Sequence, residues 1–343
     1  MKKFKPGKYT KDNIITYGMI ILVYIVVQIL INTGHISSLM QGLLVPLCVY
    51  VILAVSLNLT VGILGELSLG HAGFMCVGAF VGAFFSKFTQ DVITADLPRF
   101  ILAILSGAIS AGIIGFLIGM PVLRLRGDYL AIVTLAFGEI IKNIIYVLYI
   151  GKDSRGFHFS LKDSLSLGLE EDGVVIINGA QGITGTPKNS TFTIRIILIV
   201  ITLIIVLNLI RSRDGRAIMS IRDNLIAAES IGINITRYKL MAFSISAALA
   251  GIAGVLYSHN LNSLMATPKN FGYNMSIMIL VFVVLGGIGN IRGSIIAAVV
   301  LTLLPELLRG LSDYRMLIYS VILIVMMLFN WSPKLIYLRE KYS

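Results

Sequence analysis

The sequence predicts an all-α, polytopic integral membrane protein: a helix bundle of about ten transmembrane helices, with one short helix on its cytoplasmic side. Three observations carry this reading. Hydrophobic residues make up 57% of the 343 positions and charged residues only 13%, with a mean hydropathy of +0.90; a water-soluble surface needs a far larger charged fraction. From Ile14 to Gly65 there is no Asp, Glu, Lys or Arg, which is room for two spans of about 20 residues each. The basic residues fall in short segments between apolar runs, as topology determinants do.

The N-terminal stretch "MKKFKPGKYTKDN" carries five lysines and leads into an apolar run. That run is long enough to span, and "NTGHISS" after it offers no small-residue cleavage site, so it reads as an uncleaved first span with residues 1–13 in the cytoplasm. A second span ends near Gly65. The third, 62–86, is rich in glycine. Further spans are expected near 98–121, 128–150, 192–210, 238–258, 274–290, 293–309 and 315–331, so that 14–331 forms a single transmembrane domain. With both termini inside, cytoplasmic segments hold seventeen of the 28 basic residues, whereas the outer segments hold ten. Segment 151–190 then falls outside as a loop too short for a core of ordinary size, and 332–343 is a cytoplasmic tail. This places the chain across a membrane, surrounded by membrane lipid, with both termini cytoplasmic.

The net charge of +11 does not point to nucleic acid, because no basic stripe is interleaved with exposed aromatics. Cys48 and Cys76 lie in apolar stretches and suggest neither a disulfide framework nor a metal site. No phosphate-binding loop of the G-x-x-x-x-G-K-[ST] type is present, and the four histidines lack H-E-x-x-H spacing. The chain therefore shows no catalytic constellation, and no cofactor or metal is expected. "GGIGNIRG" (286–293) lacks dinucleotide-fingerprint spacing and a surrounding βαβ unit, and reads as a tight turn between two spans. Small residues four apart (Gly78 and Gly82, Gly115 and Gly119, Ala247 and Gly251) are helix-packing signals in lipid.

Charges inside a membrane are expensive and therefore informative. Glu66 lies in "GILGELSLGHAGF", where a glycine-rich interruption either breaks a helix to line a cavity or forms a short turn in which Glu66 caps the next helix. The sequence leaves both open. Ser68 and His71 of the same stretch add a hydroxyl and an imidazole near a candidate pathway. Glu139 and Lys142 sit one turn apart and can pair on one helix face, either as a neutralised pair in the bundle or as part of a pathway.

One polar island stands out: "RDNLIAAESIGINITRYK" (222–239), within a predicted cytoplasmic loop, 211–237. Ile221, Leu225, Ala228 and Ile231 or Gly232 recur three or four apart, which predicts an amphipathic helix of two to three turns over 221–231. Arg222, Asp223 and Glu229 take its other faces, and Gly232 suits a left-handed C-cap. So short a helix is unstable alone and is expected either to dock onto something or to lie on the membrane surface as a linker.

Ala227, Ala228 and, three residues later, Gly232 resemble the "E-A-A-x-x-x-G" loop of ABC importer permeases, with Ile226 in place of the leading Glu. "GELSLGHAGF" (65–74), "LRLRGDYLAIVTLAFGEII" (123–141), "GRAIMSIRDNLIAAESIGINITRYKLMAFSISAALAGIAGVLY" (215–257) and "VVLGGIGNIRGSIIAA" (283–298) are similar, in order, to the LivM-type permeases of branched-chain amino acid ABC importers. Related permeases for urea and short amides share much of this pattern. The resemblance implies a bacterial cytoplasmic membrane and one half of a membrane channel paired with a second, related permease. It also implies two ATP-binding subunits, with the 211–237 coupling loop inserted into a groove of the ATP-hydrolysing subunit, and an extracytoplasmic solute-binding protein. An ion-coupled secondary transporter is the alternative from another class, and it would normally carry acidic residues in symmetry-related broken helices.

Overall fold

Helix α1 (Lys8–Asn32) opens the bundle, and α2 (Ser38–Asn58) follows and widens into a π-helical turn, Leu59–Leu64. The structure is a computed structural model and describes residues 8–34, 38–90, 92–125, 127–169, 173–188, 190–308 and 314–330. The expected tail, 332–343, and the first seven residues of the N-terminal segment lie outside the described residues. After the π turn the chain is non-helical from 65 to 70, then forms α3 (His71–Phe88), α4 (Asp96–Val122) and α5 (Asp128–Tyr146). The first sheet follows, in strands β1 (Tyr149–Asp153), β2 (Gly156–Ser160) and β3 (Val174–Asn178). The rest of the bundle is α6 (Phe192–Arg211), α7 (Arg213–Asp223), α8 (Leu225–Ser230), α9 (Ile235–Ser258), α10 (Pro268–Phe271), α11 (Tyr273–Gly286), α12 (Ile291–Leu307) and α13 (Arg315–Asn330).

Long helices stand in all ten predicted spans. Among the described residues eight stretches are long and apolar enough to cross a membrane; α12 and α13, with 17 and 16 residues, occupy the other two predicted positions but are shorter than those eight. Three predicted boundaries move. The third span starts at His71 rather than 62, because residues 59–64 continue the preceding helix and Gly65 stops it at φ +80°, a left-handed conformation that a glycine adopts at little cost. The span predicted at 128–150 ends at Tyr146, after which the chain enters β1. The span predicted at 274–290 ends at Gly286, and Gly287 and Gly289, both at positive φ, make the predicted tight turn before Asn290 caps α12 through the Gly293 amide.

Small residues set the packing, as their spacing predicts. A Cβ at Gly78 would overlap the Gly251 backbone, one at Gly82 would sit 2.6 Å from Val255 Cγ2, and one at Gly115 would sit 2.5 Å from Ala247 Cβ. These contacts let α3 and α4 close on α9 at backbone distance, where dispersion replaces the hydrophobic drive that lipid cannot supply. Segment 151–190 adds something helical periodicity does not reveal. Strand β1 pairs antiparallel with both β2 and β3, and a two-residue strand β4 (Ile183–Thr184) pairs with β5 (Ser263–Leu264) after α9.

Candidate functional site

The π turn and the 65–70 break meet the polar island at one end of the bundle. Arg222, in the last turn of α7, donates from Nη1 to the Gly62 carbonyl at 2.9 Å. A Cβ at Gly65 would overlap Arg222 Cγ. Ile218 of α7 and Ala242 of α9 close a small buried cluster with Leu59, Ile63 and Leu64. Lys239, 4% exposed in the second turn of α9, forms an ion pair with Glu66. Glu66 thus lies in a non-helical stretch between two helices, held by an ion pair to α9. The capping alternative does not hold, since Gly70 precedes α3 and no side chain caps that helix.

From Glu66 the chain runs back into the bundle. His71 Nε2 lies 2.7 Å from Ser56 Oγ, and Ser56 is eight residues before the end of the π turn, or about 12 Å along a helix. Non-helical backbone is tolerated at membrane depth only where protein or a cavity lines it. Here α5 does so: the Leu69 amide donates to Thr134 Oγ1 at 3.0 Å, and a Cβ at Gly70 would overlap the Thr134 carbonyl region. Ser276 of α11 accepts from the Ala72 amide at 3.2 Å. The Ser68 hydroxyl is buried and has no hydrogen-bond partner among the described residues. An unpartnered buried hydroxyl is costly and calls for an explanation.

A polar seam surrounds the break. Ser246 of α9 donates to the Ser56 carbonyl; Asn58 donates to Ser294 at 2.8 Å and accepts from the Gly289 amide at 2.9 Å. All four of these side chains, and Ser276, are buried. Sequence reasoning passed over Ser56, Asn58, Ser246, Ser276 and Ser294. Their signal was an uncharged polar residue inside an otherwise apolar span, which draws less notice than a charge. Glu139 lies elsewhere. It pairs with buried Lys142, as the spacing predicts, and its Oε1 accepts from the Tyr273 amide at 2.6 Å, so it also caps α11.

The island itself is two helices rather than one. Asn224 leaves helical geometry at φ −156° and ψ 103°, and its side chain accepts from the Ala227 amide, capping α8. The single helix expected over 221–231 is thus divided, because an Asn side chain satisfies a free amide and stabilises a helix start there. At the far end Gly232 is left-handed (φ +87°). Its amide donates to the Glu229 carbonyl at 3.0 Å and that of Ile233 to Ala228 at 3.1 Å, which is the Schellman pairing. Ile221 and Ala228 are buried, as their spacing predicts, while Ile231 is not. Ile226 and Ile231 stand 78% and 75% exposed, beside Ala227 and Glu229 on the outer surface. Arg222 and Asp223 pair at 2.9 Å.

These features define a multi-pass helical membrane protein in which the π turn and the non-helical 65–70 stretch are tied by a hydrogen bond and apolar contact to α7 and by an ion pair to α9. The chain belongs to the family described as branched-chain amino acid transport system / permease component, which matches residues 39–330. It is 37% identical over 296 residues to the high-affinity branched-chain amino acid transport system permease protein LivM of Salmonella typhimurium, covering 83% of this chain and 67% of that one. The LivM protein of Escherichia coli K12 is 36% identical over the same shares. The LivH permease of Salmonella typhimurium is 24% identical, over 81% of this chain and 88% of that one. No solved structure matches. The chain is a transmembrane permease subunit.

Proposed function

We propose that this permease imports branched-chain amino acids (leucine, isoleucine and valine) into the cytoplasm of a bacterium, driven by ATP hydrolysis on two separate subunits. A second, related permease completes the channel, and an extracytoplasmic solute-binding protein delivers the substrate. The similarity to LivM and LivH supports both substrate and assembly. The observation that carries the mechanism is the link from Arg222 to Gly62 together with that from Lys239 to Glu66. Through the first contact a movement of α7 reaches the π turn that leads into 65–70, and through the second the start of α9 holds Glu66 of that stretch.

In this reading both termini and the 211–237 segment face the cytoplasm, and the β1–β3 sheet faces outward. The exposed face of α8, with Ile226, Ala227, Glu229 and Ile231, docks on an ATP-binding subunit. Ala228 and Gly232 shape the helix, and Arg222 and Asp223 anchor it. Glu66, Ser68 and His71 border the pathway. A zwitterion crossing a region of costly charge needs transient polar partners, and a weakly polar lining releases it where a strong charged site would trap it. The free Ser68 hydroxyl supplies one such partner. Glu139 contributes by holding the start of α11 against α5.

Uptake of labelled leucine, isoleucine, valine and urea, measured with and without the gene, tests the substrate. Loss of amino acid uptake is expected. Loss of urea uptake alone, with the three amino acids unchanged, would reassign the permease to urea-type solutes.

A further inference from the structure

Two of the apolar spans, α5 and the stretch from α10 through α11, present polar groups on their outer surface. Glu139 comes eleven residues after Asp128, the start of α5. That is about 16 Å along the helix axis, close to the middle of a hydrocarbon core of about 30 Å. Its side chain is 25% exposed even though it pairs with Lys142. Asn143, one turn further along α5, is exposed. Glu139 Oε1 accepts from the Tyr273 amide at 2.6 Å, which brings the first turn of α11 onto the same surface. There Tyr273 and Asn274 are exposed as well. Ile140 and Ile277, 50% and 41% exposed, flank these polar groups.

Such a surface does not suit lipid. Hydrocarbon offers a carboxylate or a carboxamide no hydrogen bond, and leaving one there is costly. The outer face of α4 has the composition that lipid does suit. Leu105, Ile109, Ile113 and Phe116 are all exposed there, and the hydroxyls of Ser106 and Ser110 donate to carbonyls of α4 itself at 2.9 and 2.8 Å. A carboxamide carries two donor hydrogens and an acceptor, more than its own helix can satisfy.

We infer that the polar face of α5 and α11 is the surface on which the second permease subunit packs, a partner that presents hydrogen-bonding side chains to Glu139, Asn143 and Asn274. The inference rests on the reading that a second, related permease completes the channel. Hydrogen bonds between helices hold membrane subunits together where apolar contact alone supplies no drive. The partner is a membrane subunit because the surface lies between the two ends of a span, out of reach of a soluble protein. It is a different chain, because a twofold contact of this face with its own copy would gather two Glu139 carboxylates in one patch of low dielectric. The contact adjoins the 65–70 break, whose flanking amides, of Leu69 and Ala72, donate to Thr134 of α5 and Ser276 of α11.

The test is photo-cross-linking in the complete importer, purified with its associated subunits. A benzophenone amino acid is placed singly at Ile140 and Ile277 on the polar face, and at Ile109 and Ile113 on α4. The first two should capture the second permease, identified by mass spectrometry of the adduct, and the α4 pair should capture lipid alone. Asn143→Leu combined with Asn274→Leu should weaken association with the second permease roughly tenfold, the effect of losing two interface hydrogen bonds. Undiminished retention of the ATP-binding subunits shows that this variant is folded. Capture of the second permease from α4 and not from α5 and α11 would overturn the inference and leave the two-permease reading standing. Capture of another copy of this chain, or of lipid alone at all four positions in an importer that contains a second permease, would overturn it too. So would unchanged association in the double variant. An importer with no second permease would remove that reading and the inference together.

Discussion

Glu66 and Lys239 bury opposite charges where neither would be stable alone. Removing one partner of such a pair typically costs 3–5 kcal/mol, because the other charge is left uncompensated. Lys239→Met should therefore destabilise the protein by about 3–5 kcal/mol. Adding Glu66→Gln to it should restore much of that loss, although transport stays impaired because the link to the break is gone. Thermal unfolding in detergent, with uptake in vesicles, measures both. Additive losses would show that the pair does not interact. Gly232 is a different case: its left-handed backbone is required, yet a Cβ there meets open space. Gly232→Val should cost only about 1–2 kcal/mol and insert normally, but it should misplace the end of α8 and uncouple ATP hydrolysis from transport. Wild-type uptake by a correctly inserted Gly232→Val protein would remove the coupling role.

Glycine has two meanings at the level of the helices, and a pair of substitutions separates them. At Gly78 any side chain collides with the Gly251 backbone, so Gly78→Leu must push α3 from α9 and should lower the unfolding temperature by many degrees or prevent assembly. At Gly42, inside α2, a Cβ meets nothing within 4 Å. Gly42→Ala should stabilise by about 0.5–1 kcal/mol through helix propensity. The same measurement should thus move in opposite directions. Equal effects would mean that propensity, not close approach, governs both. The division of the island into α7 and α8 belongs to this scale too. Apolar spacing marks its buried residues, Ile221 and Ala228, correctly, but periodicity cannot show that Asn224 would turn outward to cap a new helix instead of continuing the old one.

For the whole molecule, the alternation of spans puts the 123–127, 212–234 and 287–290 connections at one end and the β1–β3 sheet at the other. Single cysteines at Ser154, next to β1, and at Ser230, in α8, both exposed, test which end is cytoplasmic. In a background lacking Cys48 and Cys76 they should label from outside and inside respectively. Labelling from one side would sink the ten-span topology. Apolar run length determined the class and the positions of the long helices, and local composition the polar island, because burial in lipid acts on each segment by itself. The family resemblance lay in local motifs, also legible one segment at a time. What only the tertiary structure decided was who meets whom. The pairing of Glu66 with Lys239 joins residues 173 positions apart, and that of Arg222 with Gly62 spans 160. The seam of Ser56, Asn58, Ser246 and Ser294 comes from three helices. No local pattern encodes such contacts, since each side chain is satisfied only by a neighbour that packing brings to it.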